Sequence, residues 1–439
     1  MPHCSEIDVR REHFAVSVDA RNELTEGVHD PIGPSSIPWN LLSSAAESCE
    51  YASDLTHPLY RYPGRMSPHL ARALIVGLTE PGDIVLDPFS GGGTTAVEAL
   101  SNGRRAICCD LNALACFVTR AKAWPVRKQS LAIYRRWAAS TVSGVQDSTY
   151  PSLPLLTSDG SGYAPRTHAL LLHLRDEALG VKDPSSRRLA LLTVLRVGQL
   201  CFDCRQTPPS PKALRNLFES VAQMVLNRVE LYASACRQHR WPGGLRRSLQ
   251  VFRGDAKDLP ERLGALRMRP LSLILTSPPY PGVHVLYHRW QIYGRRETAL
   301  PYNLLYLNDG FFESHYTFGS RKQPGKLYFA SLEAVFASLH RLTTPLTLVA
   351  QVVGFADPQR HLPRFRDVMA AAGFDEVIDP DSPDSAIGRL VPHRRWYAEL
   401  SIGQGSGHEF LLIHRPRRSG GKQRDRGTAR SSGKQTKRG

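Results

Sequence analysis

Apolar residues recur at Leu70, Ala73, Leu74 and Leu78, the spacing of a helix that buries one face. Ser67-Pro68 just before them supplies an N-cap followed by proline at the first helical position, and Pro81-Gly82 ends the run. Asp83 to Asp87 then reads as a short apolar strand, Thr94 to Leu100 as a helix, and Arg105 to Asp110 as a second strand. The alternation resumes far along the chain. Leu249 to Arg253 and Leu271 to Leu275 read as strands, Leu327 to Leu342 as a helix, and Leu346 to Val353 as a long buried strand. Pro363 to Ala372 follows as a helix, and Trp396 to Ile402 with Glu409 to His414 as an antiparallel pair around Gly403 to Gly407. Strands alternating with helices predict an α/β, Rossmann-like fold, a mainly parallel sheet with helices on both faces.

Between these halves the pattern changes. Residues 121–245 are helical in period (Leu170 to Ala178, Arg187 to Leu200, Pro211 to Tyr232) and rich in arginine, and they read as a helical insertion. This gives five segments: a leader at 1–55 without sustained periodicity, a first core part at 56–120, the insertion at 121–245, a second core part at 246–415, and a basic tail at 416–439. The tail's Gly/Ser/Lys/Arg composition predicts disorder.

Charge narrows the partners. The net charge is +16, of which ten Lys or Arg against one Asp place +9 in residues 415–439, so residues 1–414 carry the remaining +7. A basic body as well as a basic tail favours a polyanion. No apolar run approaches the roughly 18 residues of a membrane span. Of eight cysteines, three (Cys108, Cys109, Cys116) fall on an apolar strand and the helix after it; such use of reduced thiols fits a cytoplasmic compartment. Cys201-x-x-Cys204 and Cys236-x-x-His239 have the spacing of zinc ligands. Two helices carrying buried thiols explain them better, since turn glycines are missing, and no metal is expected.

Two constellations carry chemistry. Asp87-Pro88-Phe89-Ser90-Gly91-Gly92-Gly93-Thr94-Thr95 lies between a strand and a helix, where glycines permit a tight turn and close ligand approach. Asp110, about twenty residues on, ends the next strand and can accept both ribose hydroxyls of a nucleoside. Gly91-x-Gly93-x-x-Ala96 also fits a loose dinucleotide pattern, so NAD competes at this point. Asp87 opposes it, because a carboxylate beside a pyrophosphate is unfavourable but suits the cationic methionine end of S-adenosylmethionine. No lysine follows the glycines, which excludes a P-loop. The second constellation is Thr276-Ser277-Pro278-Pro279-Tyr280 at the end of a buried strand.

Here the sequence resembles the N4-cytosine and N6-adenine DNA methyltransferases, whose motif is Asp, Asn or Ser, then Pro-Pro, then Tyr or Phe. The resemblance covers roughly 56–120 and 246–415. It implies a class I methyltransferase fold with a seven-stranded sheet and a closing antiparallel strand, and S-adenosylmethionine as cofactor. It also implies that Asp87, Phe89, Ser90, Gly91, Gly93, Thr94 and Asp110 hold that cofactor. Asp255 is implied near its adenine, and the segment Tyr62-Pro63-Gly64-Arg65-Met66-Ser67-Pro68 against its methionine end. The partner implied is DNA, in a restriction-modification setting with a cognate endonuclease, and the insertion is the segment left to recognise the target.

The chemistry suits the residue types. A base's exocyclic nitrogen is a poor nucleophile because its lone pair is delocalised. Ser277 Oγ and the Pro278 carbonyl are candidate acceptors for its two N–H groups. Pro278-Pro279 stiffens the loop and removes competing donors, and Tyr280 can stack on a flipped base. His284, His288, Arg289 and Trp290 either line that pocket or touch phosphate, or Val283, Leu286 and Trp290 pack in the core from a helix. Within the family it resembles, a serine at the head of the motif goes with cytosine N4 more often than with adenine N6, so the resemblance implies cytosine N4. An RNA- or protein-directed amino-methyltransferase and an inactive DNA-binding module are the alternatives.

Overall fold

The structure, a computed structural model, describes residues 36–48, 54–62, 64–144, 155–156, 162–163, 166–241, 243–264, 270–280, 289–292, 296–310, 325–355, 357–383, 386–390 and 408–417. Nearly all of the tail, the whole of the expected strand at 396–402 and its turn, Val283, His284, Leu286, His288, Pro63, Cys4 and Cys49 lie outside these residues.

The first part runs α1 (Trp39–Glu47), α2 (Pro68–Leu78), β1 (Ile84–Asp87), α3 (Thr94–Ser101), β2 (Arg105–Asp110) and α4 (Ala113–Ala123). Helices α5 (Lys128–Gly144), α6 (Arg166–Leu179), α7 (Pro184–Phe202) and α8 (Pro211–Arg237) follow, with a two-residue pairing of β3 (Leu155–Leu156) and β4 (Gly162–Tyr163) between α5 and α6. Then come β5 (Leu249–Arg253), α9 (Leu259–Gly264), β6 (Leu273–Thr276), the hairpin β7 (Trp290–Ile292) and β8 (Arg296–Thr298), and α10 (Leu300–Asn303). The chain closes with α11 (Gly325–His340), β9 (Leu348–Gly354), α12 (Pro358–Ala371), β10 (Phe374–Glu376), β11 (Ile387–Leu390) and β12 (His408–Pro416).

The sheet has eight strands in the order β10-β12-β9-β6-β1-β2-β5, with β11 also on β12. Strands β5, β2, β1, β6 and β9 are parallel. Strand β12 enters antiparallel to β9 and pairs on its other side with β10 and β11, also antiparallel. Among the described residues His408–Leu411 pairs with Ile387–Leu390, a strand the hydrophobic pattern did not single out.

Alternation along β1 divides the core. Val85 faces Leu70, Leu74 and Ala96 from α2 and α3, while Ile84 and Leu86 face Leu332 and Phe336 from α11. A third core joins α4 to α8 and includes Trp290 and Tyr302. No helix among the described residues is long and apolar enough to cross a membrane.

Three expectations shift. The leader holds a helix, α1, whose Leu42 and Ala46 are buried against the first core. Pro363 does not start its helix: Asp357 caps α12 by accepting from the Arg360 N–H, Pro358 is the first helical residue, and Pro363 sits inside, at the cost of one intrahelical hydrogen bond. Trp290 belongs to strand β7, not a helix. It is fully buried, donates from Nε1 to Tyr60 Oη at 3.1 Å, and packs where a Cβ on Gly198 would sit 2.8 Å away. Arg289 beside it pairs with Asp309 at 2.6 Å, both about nine-tenths buried. Neither is presented to a base or a phosphate.

Candidate active site

The parallel register of β1 and β6 (Val85 beside Leu273, Leu86 beside Ile274) brings the glycine turn and the proline clamp to one edge of the sheet. An open cleft lies there, lined by Arg65, Met66, Asp87, Phe89, the Ser90–Gly92 turn and Ser277, among others. Thr276, the last residue of β6, locks the two halves together by donating from Oγ1 to Asp87 Oδ1 at 2.8 Å.

The turn is built as its composition demands. Gly91 and Gly93 take positive φ (46° and 76°), a region costly for other residues. Gly92 is needed for a different reason: a Cβ there would stand 2.8 Å from Tyr62 Cβ, because Tyr62 lies over the turn. Lys122, buried on α4, donates from Nζ to the Gly92 carbonyl at 2.8 Å. Burial, with help from the Arg65 charge, pushes its pKa down to about 7.

Both carboxylates are structural; Asp87 lines the cleft, whereas Asp110 stands behind the turn and is not part of the lining. Asp87 accepts from Thr95 Oγ1 (2.6 Å), Thr276 Oγ1 and the Phe89 N–H (3.1 Å), while burial raises its pKa to about 6. Asp110 accepts from the Gly91 N–H and the Asn112 N–H, each at 2.8 Å, and burial likewise raises it to about 6. Asp110 thus fixes the turn it was expected to serve.

Ser90 Oγ and Thr94 Oγ1 are buried with no hydrogen-bond partner in the protein, although both line the cleft. An orphaned hydroxyl costs roughly 1–3 kcal/mol, so two of them at the start of α3, where helix N–H groups also point outward, mark the seat of a polar ligand.

Ser277 closes the cleft on the clamp side. Its hydroxyl lies 2.9 Å from the Val352 carbonyl and 3.2 Å from Tyr280 Oη, and Tyr280 donates to Glu409 Oε1 at 2.7 Å. Glu409, 4% exposed, also meets Arg389 Nη1 at 3.2 Å. Pro278 and Pro279 follow β6 directly.

Some expected residues stay apart. Asp255 does not line the cleft: its carboxylate accepts from the Lys257 N–H at 3.0 Å and pairs with Lys257 Nζ at 3.2 Å. Cys201 is buried in the helical core and Cys236 in the core beneath the sheet, while Cys204 is exposed and His239 reaches the Ser101 carbonyl at 3.0 Å. Among the described residues no group of three or more His, Cys, Asp or Glu is disposed to hold a metal. Sequence reasoning missed Lys122 and Glu409. A lone lysine between two alanines on an apolar helix was the available sign of the first; the second had none.

The mainly parallel sheet carries the glycine turn, the strand-end carboxylate and the Ser277-Pro278-Pro279-Tyr280 loop at one edge, as the resemblance to class I methyltransferases implies. Residues 37–119 match the family model described as DNA methylase. It is similar to the type II methyltransferase M.MvaI of Kocuria varians, 35% identical over 82 residues (18% of each chain). It is similar also to the DNA adenine methyltransferase YhdJ of Escherichia coli, 39% over 51 residues (12% of this chain, 17% of that one). The tRNA (guanine(10)-N2)-dimethyltransferase of Methanocaldococcus jannaschii is 46% identical over 54 residues, 12% of this chain and 15% of that one. The matches thus span less than a fifth of these relatives' lengths.

The residues present fit S-adenosylmethionine, the cofactor the family resemblance implies. Ser90 and Thr94 supply unspent hydroxyls, Arg65 supplies a cation for its carboxylate end, and Asp110 retains lone pairs for ribose. Asp110→Ala is expected to weaken its binding by about 1.5–3 kcal/mol, the worth of hydrogen bonds to a charged group, measured by calorimetry. Unchanged affinity would remove Asp110 from the site.

Proposed function

We propose that this protein transfers a methyl group from S-adenosylmethionine to the exocyclic amine of a base in DNA, cytosine N4 before adenine N6. The observation that carries the reading is the shared cleft: Ser277 and the glycine turn line the same space. An amine held at Ser277 therefore stands beside whatever the turn binds.

The donor supplies an electrophilic methyl group when bound. This chain's residues do the rest by positioning. Ser277 Oγ, with its proton directed to the Val352 carbonyl, keeps lone pairs for one amine N–H. The adjoining proline loop is stiff, and the Tyr280 ring offers a flipped base a face to stack on. Serine is short and accepts a single N–H, which suits the smaller ring of cytosine. The helical insertion at α5 to α8 is the segment we assign to duplex contact.

One finding favours a second reading: the relative named for guanine N2 of tRNA matches at 46%, and a clamp for one planar amine accepts another. Labelled S-adenosylmethionine offered to hypomethylated DNA and to total RNA in competition separates the two. We expect label in DNA, with Ser277→Ala lowering turnover by about 10²-fold and leaving cofactor affinity unchanged. Label in RNA alone would replace DNA with RNA as the substrate.

A further inference from the structure

The clamp begins with serine, which is a poor proton acceptor. An amine that gains a methyl group must lose a proton, and the acceptor has to be found elsewhere. From Ser277 a chain of oxygens leads away from the cleft: Ser277 Oγ to Tyr280 Oη at 3.2 Å, then Tyr280 Oη to Glu409 Oε1 at 2.7 Å. The second contact has a length typical of a hydroxyl donating to a carboxylate.

Glu409 is placed by the sheet. It stands at the start of β12, paired with Gly354 of β9 on one side and Arg389 of β11 on the other. Gly354 matters because a Cβ there would lie 2.8 Å from Tyr280 Cε2, so the tyrosine ring rests directly on the strand's backbone. Arg389 faces the far oxygen of Glu409 at 3.2 Å, with both side chains nearly buried. Arg389 from β11 and Tyr280 from the clamp are charged and titratable groups set against this carboxylate. A buried carboxylate needs such partners to remain ionised.

We propose that Ser277, Tyr280 and Glu409 form a proton relay that carries the amine's departing proton from the cleft to Glu409. This rests on the methyltransferase reading above. In the step, the N–C bond forms as the C–S bond breaks, and the donor sulfur keeps the electron pair. The positive charge arrives on nitrogen. Nitrogen gives a proton to Ser277 Oγ, Ser277 gives its own to Tyr280 Oη, and Tyr280 gives its own to Glu409 Oε1. Glu409 ends neutral beside Arg389 and returns the proton to solvent after product leaves. The serine hydroxyl, placed between the Val352 carbonyl and Tyr280, turns from one to the other to begin the transfer.

The test uses the full chain, hypomethylated DNA and labelled S-adenosylmethionine, with kcat followed across pH and cofactor affinity measured by calorimetry. Glu409→Gln keeps an acceptor for the Tyr280 hydroxyl but cannot take its proton. Tyr280→Phe keeps the ring and breaks the chain. Both are expected to lower kcat by about 10²-fold, the usual share of a positioned base, and to remove the acidic limb of the wild-type pH profile, with cofactor affinity unchanged. Wild-type kcat and profile in either variant would overturn the relay. So would Glu409→Gln behaving as wild type where Glu409→Ala fails, since Glu409 would then only hold the ring. Wild-type protein that labels no nucleic acid would overturn the methyltransferase reading, and the relay with it.

Discussion

Gly354→Ala is expected to lower methyl transfer by about 10²-fold while the sheet stays folded. Gly354 closes strand β9, and its φ is outside the left-handed region, so alanine is acceptable to the backbone. Space is the obstacle. The added methyl would meet Tyr280 at 2.8 Å on Cε2 and 3.2 Å on Cδ2 and Cζ, inside the contact distance of two carbons. The ring is tethered by its hydroxyl to Glu409, so it can retreat only by giving up that bond or by swinging into the cleft. Misplacing a substrate-positioning group by about 1 Å costs on the order of 10²-fold in rate. Steady-state kinetics beside a circular dichroism melt check this. Full turnover in a normally folded variant would mean that the Tyr280 position does not matter to the reaction.

Glu98→Ala is expected to cost about 3–5 kcal/mol of stability, the usual result of removing one partner from a buried ion pair. Glu98 on α3 is fully buried. It accepts from Arg72 Nε at 2.8 Å and lies 2.7 Å from His57 Nε2. Burial works to raise its pKa, but the His57 hydrogen bond and the Arg72 charge outweigh burial and hold it at about 2. Burial also lowers His57 against the pull of Glu98, so the neutral ring donates from Nε2. Because Glu98 is depressed in the fold from an ordinary value near 4.5, its contribution is complete above that value and is lost as pH falls toward 2. Urea titrations should therefore show wild type losing stability over that acid window and the variant lacking this component. Arg65, which lines the cleft, donates to the His57 carbonyl at 3.2 Å, so cofactor binding should weaken as well. Equal stability of variant and wild type would show that the pair is not worth its desolvation.

What was legible in the sequence was local. The turn at Gly91 and Gly93, Asp110 at a strand's end, and Ser277 after a buried strand each declare themselves within a few residues, because backbone conformation and hydrophobic period act at short range. The adjacency of β1 and β6 followed from the alternation. Contacts made across the sheet were not legible. Glu409 meets Tyr280 from 129 positions away, and no period or spacing encodes that meeting. Trp290 and Arg289 stayed open between base pocket and core for the same reason: basic and aromatic residues beside a clamp suit nucleic acid, but their partners Tyr60 and Asp309 draw them inward. Asp255 takes a backbone N–H two residues ahead and pairs with a lysine, away from the cleft, a short-range use that aspartate favours at turns. Helix α1 went unseen because only two of its nine residues are buried.

The central claim is methylation of an exocyclic amine in DNA. Nucleoside mass spectrometry of hypomethylated DNA, digested after incubation with the protein and labelled S-adenosylmethionine, tests it most directly. The account predicts labelled N4-methylcytosine in the digest; DNA that remains unlabelled while the same preparation labels RNA or protein would contradict it.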